Sequence, residues 1–215
     1  MLLLDTWTYL IGHPNQFWKA LGVHMALSAS ALLLAAVVSI PAGIAVARRN
    51  HLALGLVNLA NVARTLPSLA VLALVMPLLG TGFVPSLFAL TLIALPPIIT
   101  HTIAALRGVD ADVVDAALGM GMTRTALLWK IELPMALPTV FAGLRTAAVQ
   151  VISGAVLASF IGGGGLGDFI TAGIAMMAVP QLLLGAIPVT LLALATDFLF
   201  GVLQRRMTPI GLRSA

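Results

Sequence analysis

The sequence predicts an all-α integral membrane protein with about five transmembrane helices and one polar loop built to dock a partner. Three observations carry that reading. Hydrophobic residues fill 60% of the 215 positions and charged residues 8%, against roughly a quarter charged in soluble domains. Apolar runs exceed twenty residues, where a soluble α/β core needs short alternating ones. A single long polar interruption, Asp110 to Pro134, holds four of the seven acidic residues.

Other classes fall away on composition. With no cysteine there is no disulfide framework and no thiolate metal site, and no metal is expected. The net charge of +4 is scattered between apolar segments, without a basic run and interleaved aromatics, so it reads as membrane topology and not as a nucleic-acid surface.

The opening residues have Asp5 instead of a positively charged start and are interrupted by Gly12 and Pro14, so they are expected to be retained and not cleaved as a signal peptide. Trp7, Tyr9, Phe17 and Trp18 suit an interfacial aromatic anchor or N-terminal packing. Residues 25–47 carry no charge and at about 1.5 Å per residue cover a ~30 Å hydrocarbon core. Arg48, Arg49, Asn50 and His51 close this first span.

The second span, 52–79, holds Arg64 and then Pro67, and is expected to bend. Gly80 to Gly82 turn the chain into a third span, 83–106, whose Pro96-Pro97 pair is expected to break it mid-way. After the loop, 107–136, a fourth span covers 137–161 with Arg145. The run GGGGLGD, Gly162 to Asp168, follows as a flexible connector or as a functional contact on the side opposite the loop. Phe169 to Met177 is too short to cross a bilayer and suits a re-entrant or interfacial helix. The fifth span, 181–203, holds Pro188 and Asp197 and precedes Arg205, Arg206 and Arg213. With no repeat and no long linker, residues 1–215 read as one transmembrane domain.

Charge sets the expected orientation. A cytoplasmic loop puts Arg48, Arg49, Arg107, Arg124, Lys130, Arg205, Arg206 and Arg213 inside and leaves Lys19 outside. The N-terminus and GGGGLGD are then extracytoplasmic and the C-terminus cytoplasmic.

Within the loop, Val113, Ala117 and Met120 recur at helical spacing, with Asp112 and Asp115 on another face in the early turns. Gly119 and Gly121 are placed to end this helix. Thr123 is placed to cap a second short helix with Leu127, Leu128 and Ile131, expected to stop at Pro134.

The spacing Asp115-Ala116-Ala117, Gly121, Ile131, Leu133-Pro134 resembles the EAA motif of binding-protein-dependent ABC importer permeases, with Asp115 where that family usually has Glu. The stretches VARTLPSLAVLALVMPLLG, ELPMALPTVFAGLRTAAVQ and FIGGGGLGDFI resemble permeases for quaternary-amine osmoprotectants such as glycine betaine, carnitine and choline. Methionine-importer permeases share the glycine run and the loop motif and stand as the alternative.

The resemblance implies a multi-pass subunit of the bacterial cytoplasmic membrane, with a methionine-permease-like core. It implies docking of the loop, with Asp112, on a cytoplasmic ATPase dimer. It further implies a second permease, the same chain or a paralogue, and an extracytoplasmic substrate-binding protein. No GxxxxGK[ST] phosphate loop occurs, so ATP and Mg are expected on the partner ATPase and no cofactor on this chain.

Candidate pathway or gate residues are Arg64, Pro67, Ser68, Ser153, Gly163, Gly164, Gly165 and Asp168. Arg64 in a span has to face protein or water, as a pathway group or as a structural ion pair. Arg145 and Asp197 lie at similar depth and form a candidate ion pair, or two independent charges. His24, His101 and Ser153 raise a remote alternative, an intramembrane serine hydrolase; a stand-alone channel is a third class. Trp7, Tyr9, Trp18 and Trp129 all lie outside the spans, so no aromatic cage for a quaternary ammonium is expected there.

Overall fold

Every apolar run forms helix in the computed structural model, which describes residues 2–207; Arg213 lies outside them. In chain order the helices are α1 Leu2–Gly12, α2 Pro14–Ala47, α3 Asn50–Thr65, α4 Ser68–Leu79, α5 Phe83–Arg107, α6 Ala111–Gly119, α7 Arg124–Leu127, α8 Leu133–Gly154, α9 Gly167–Ala175 and α10 Val179–Met207. A π-turn, Leu128–Glu132, joins α7 to α8, and 3₁₀ turns, Ala155–Ile161, extend α8. No strand occurs among the described residues.

Four helical segments are long and apolar enough to cross a bilayer: α2, α5, the run Arg124–Ile161, and α10. The α3–α4 pair, bent by 95°, makes a fifth when taken as one broken span. The bend sits at Leu66–Pro67, where proline disfavours helix in the residue before it, and Leu66 takes an extended conformation with ψ 127°.

α5 is the centre of the packing, with α2, α3, α4 and α8 against it and α10 against the outer side of α8. The core joins Leu27, Ala31 and Ala35 of α2 to Leu90, Ala94 and Ile98 of α5 and Ala147 and Val151 of α8. The many alanines follow from the medium. Lipid gives helices no hydrophobic drive toward each other, so small residues that let backbones approach supply the dispersion contact.

Two proline expectations are corrected. Pro96 and Pro97 do not break α5, which runs unbroken from Phe83 to Arg107. Both rings are buried against neighbouring helices, and the Ser39 hydroxyl of α2 donates to Leu95 O (3.4 Å) beside them, so packing holds the helix continuous through the pair. Pro134 does not stop the second loop helix either. The π-turn before it lets the Leu133 N–H reach back to Leu128 O, and proline takes an opening position of α8, where no N–H is needed. The loop helix and the fourth span are therefore one continuous element.

Helix limits also move. α2 begins at Pro14 and not near Met25, because Gly22 does not interrupt it. The short helix after the glycine run is Gly167–Ala175, and its Phe169 packs on Phe17 of α2 (ring centroids 6.5 Å). The N-terminal aromatics divide: Phe17 is buried and Tyr9 packs beside it, while Trp7 and Trp18 are exposed.

Candidate functional site: a helical loop and a cleft

The loop opens with Asp110, whose carboxylate accepts from Asp112 N–H (2.9 Å) and caps α6. Asp112, Asp115 and Ala116 are exposed on that helix and Ala117 is buried. The inward face differs from the expected one: Val114, Ala117 and Leu118 turn inward, whereas Val113 is exposed and Met120 is 78% exposed. The chain reverses at Gly121, with φ +83°, where Gly121 N–H donates to Leu118 O (2.9 Å) and Met122 N–H to Ala117 O (3.1 Å). Thr123 then caps α7 by accepting from Ala126 N–H (3.3 Å). Ile131 and Leu133 are half-buried, Pro134 is exposed, and Trp129 is 65% exposed. The element thus offers acids, Met120 and Trp129 outward from a capped, reversed backbone.

Behind it lies a polar groove of about 790 Å³, where Asp115 shares the lining with Arg48, Asn50, Arg107, Arg124 and Glu132. Glu132, in the π-turn, is 4% exposed and pairs with Arg48 at the end of α2. That hydrogen bond raises the Arg48 pKa above its ordinary value, against the opposing effect of burial. Arg107, ending α5, donates to Ala47 O (2.8 Å) and Asn50 Oδ1 (3.0 Å). Two arginines therefore bind the loop-side ends of α2, α3, α5 and the π-turn together.

A second region is a cleft of about 1070 Å³ between α3, α4, α5 and α8. Arg64, Ser68 and Ser153 line it together, and Pro67 marks the break between the first two. Gln150, one helical turn before Ser153, lines it as well. The four candidates Gly163, Gly164, Gly165 and Asp168 lie elsewhere.

That glycine run is wedged by its neighbours, which does not fit the first of its two readings, a flexible connector. A Cβ on Gly163 would lie 2.2 Å from Ser86 Oγ, and one on Gly165 would lie 3.2 Å from His24 Nδ1. Gly162, Gly164 and Gly165 all have positive φ. Asp168 is exposed in the first turn of α9, where desolvation raises its carboxyl pKa. Between the spans, Arg145 Nε and Nη2 donate to Asp197 Oδ1 (2.6 Å) and Oδ2 (2.5 Å), a two-bond pair joining α8 to α10.

Residues 39–209 match the family described as the binding-protein-dependent transport system inner membrane component. The chain belongs to this family. Among relatives of this permease, the carnitine transport permease protein OpuCB of Listeria monocytogenes is 43% identical, over 93% of this chain and 90% of the relative. The glycine betaine/carnitine/choline transport system permease protein OpuCB of Bacillus subtilis is 38% identical, over 96% and 95%. The fold is similar to a chain of the inward-facing MetNI methionine ABC transporter, with a TM-score of 0.81 over 92% of this chain and 99% of that one, at 19% identity.

The hydrolase alternative has no geometry behind it in this permease. His24 Nε2 donates to Ile152 O (3.1 Å) and His101 Nδ1 to Pro97 O (2.8 Å), and no hydrogen bond joins either ring to Ser153. Sequence reasoning missed Glu132 and Gln150. Gln150 was visible as a polar side chain three positions before Ser153; the partner of Glu132 lies 84 positions away and leaves no local signal.

Proposed function

We propose that this permease forms part of the path of an ATP-driven importer for quaternary-amine osmoprotectants of the glycine betaine, carnitine and choline class. The observation that carries the substrate class is likeness along nearly the whole chain, 43% and 38%, to permeases named for those solutes. The loop faces the cytoplasm, as the positive-inside rule requires of Arg48, Arg49, Arg107, Arg124, Lys130, Arg205 and Arg206. A separate ATPase dimer docks on Asp112, Asp115, Ala116, Met120 and Trp129. A second permease subunit completes the path, and an extracytoplasmic binding protein delivers solute opposite the loop.

The mechanism follows from the connections. ATPase closure displaces α6 and α7; the π-turn passes that displacement without interruption into α8, and the Arg48–Glu132 pair passes it to α2. Arg107 carries α5 along with α2 through Ala47 and Asn50. Because α8 brings Gln150 and Ser153 into the cleft, movement at the loop re-shapes the cleft wall, and access alternates between the two sides.

The test is reconstitution in proteoliposomes with the ATPase and binding protein. Glycine betaine, carnitine or choline is expected to stimulate ATP hydrolysis and to accumulate inside. Stimulation and accumulation with methionine alone would replace this substrate class with the amino-acid one.

A further inference from the structure

The cleft carries a chemical bias that docking and coupling do not use. Its walls are apolar, and its polar side chains are Arg64, Ser68, Gln150 and Ser153. That set contains one full positive charge, no carboxylate and no aromatic ring. Three other arginines at span ends or within spans are engaged: Arg48 by Glu132, Arg107 by Ala47 and Asn50, and Arg145 by Asp197. Arg64 has no ion-pair or side-chain hydrogen-bond partner among the described residues. It stands on the last turn of α3, beside the 95° bend, with its side chain exposed to the cleft. A charge inside a transmembrane bundle is kept where it faces water or a ligand of opposite sign.

We propose that Arg64 receives the carboxylate of a zwitterionic quaternary amine as it passes the cleft. The permease itself, in addition to its binding protein, then favours carboxylate-bearing solutes such as glycine betaine over the cationic alcohol choline. This rests on the osmoprotectant reading above. A guanidinium matches a carboxylate with two parallel N–H···O bonds. The Ser68 and Ser153 hydroxyls and the Gln150 amide supply further donors in the same cleft. The trimethylammonium end meets apolar wall, and its methyl groups need no hydrogen bond. Choline offers nothing to Arg64 except like charge, and the cleft has neither a counter-charge nor a ring face to hold it.

The experiment uses the complete transporter in proteoliposomes, with wild type, R64Q and R64K each given labelled glycine betaine and labelled choline. The readout is the ratio of the two uptake rates, which cancels differences in the amount of active protein. Wild type is expected to favour glycine betaine, R64Q to lower the ratio about tenfold, and R64K, which keeps the charge and loses the fork, to fall between them. An R64Q ratio within about twofold of wild type, or wild type moving both solutes equally, overturns the role of Arg64 and leaves the osmoprotectant reading standing. Accumulation of neither solute, with methionine accumulated instead, overturns both. Should R64Q fail to assemble, R64K decides: a lowered ratio supports the proposal and an unchanged one overturns it.

Discussion

The turn at Gly121 and the run from Gly162 to Gly165 are both glycine-bearing reversals after a helix, and in sequence they look alike. Around Gly121 nothing stands within 4 Å of where a Cβ would be, so its glycine is required by backbone angle alone, φ +83°. At Gly163 the requirement is steric, since the Ser86 side chain fills the space a Cβ needs. Both turns close with a matching pair of backbone bonds, in the second from Gly162 N–H to Ser159 O (3.1 Å) and Gly163 N–H to Ala158 O (2.8 Å); what differs is that the first stands free and the second is also confined by contact at Gly163 and Gly165. The difference teaches that a turn with open space around it has its residue choice set by backbone angle alone, whereas a turn wedged between helices has it set by its neighbours as well.

Variants sharpen that contrast. Gly121→Pro has the largest expected effect at the loop, because proline holds φ near −65° and removes the N–H given to Leu118. Transport is expected to be lost, with the protein still inserted and ATP hydrolysis by the complex no longer tied to uptake; normal uptake would refute the role given to this turn.

Arg48→Ala and Glu132→Ala probe the pair beneath the loop, and they are expected to be unequal. Removing Arg48 leaves a buried carboxylate uncompensated, at a cost of roughly 3 kcal/mol. Removing Glu132 frees a half-exposed guanidinium to find water. Thermal unfolding in detergent should rank Arg48→Ala well below Glu132→Ala, and equal midpoints would mean that Glu132 is not buried as described.

Gly163→Ala is expected to cost about 1–3 kcal/mol by overpacking, and Ser86→Gly, which removes the nearest of the clashing atoms and leaves Ala158 Cβ, should recover part of it. Recovery measured as a rise in unfolding midpoint separates a steric role from a conformational one. Reversing Arg145 and Asp197 singly should lower insertion and uptake, while the double reversal should restore part of both. The smallest effect is expected at Thr123→Ala, about 1 kcal/mol for a lost helix cap, read as a modest fall in coupled uptake without loss of assembly.

The long spans were legible because length and apolarity in lipid leave few alternatives: α2, α5 and α10 contain the apolar runs at 25–47, 83–106 and 181–203, and the bend after Arg64 follows from Pro67. The loop was legible in outline through Gly121 and Thr123, whose roles are local and depend on a few neighbouring residues. What failed was proline read as a stop. Pro96 and Pro97 are kept in helix by tertiary packing, and Pro134 is accommodated by a change of helical register that periodicity does not reveal. The inward face of α6 was turned from Val113 and Met120 to Val114 and Leu118, because a short helix packed on one side buries only a narrow stripe. The glycine run was misjudged as flexible since composition reports what a backbone can do, and Ser86 and His24, which confine it, belong to other helices.

The unbroken run from Arg124 to Ile161 spans 38 residues, a rod roughly 55 Å long at about 1.5 Å per residue. A charged fastening to α10, Arg145–Asp197, lies between its ends. A rod fastened near its middle turns a push at one end into an opposite swing at the other, and a tilt of about 5° moves each end by roughly 2 Å over that length. Were that fastening the pivot, the 3₁₀ turns at the far end would move against the loop.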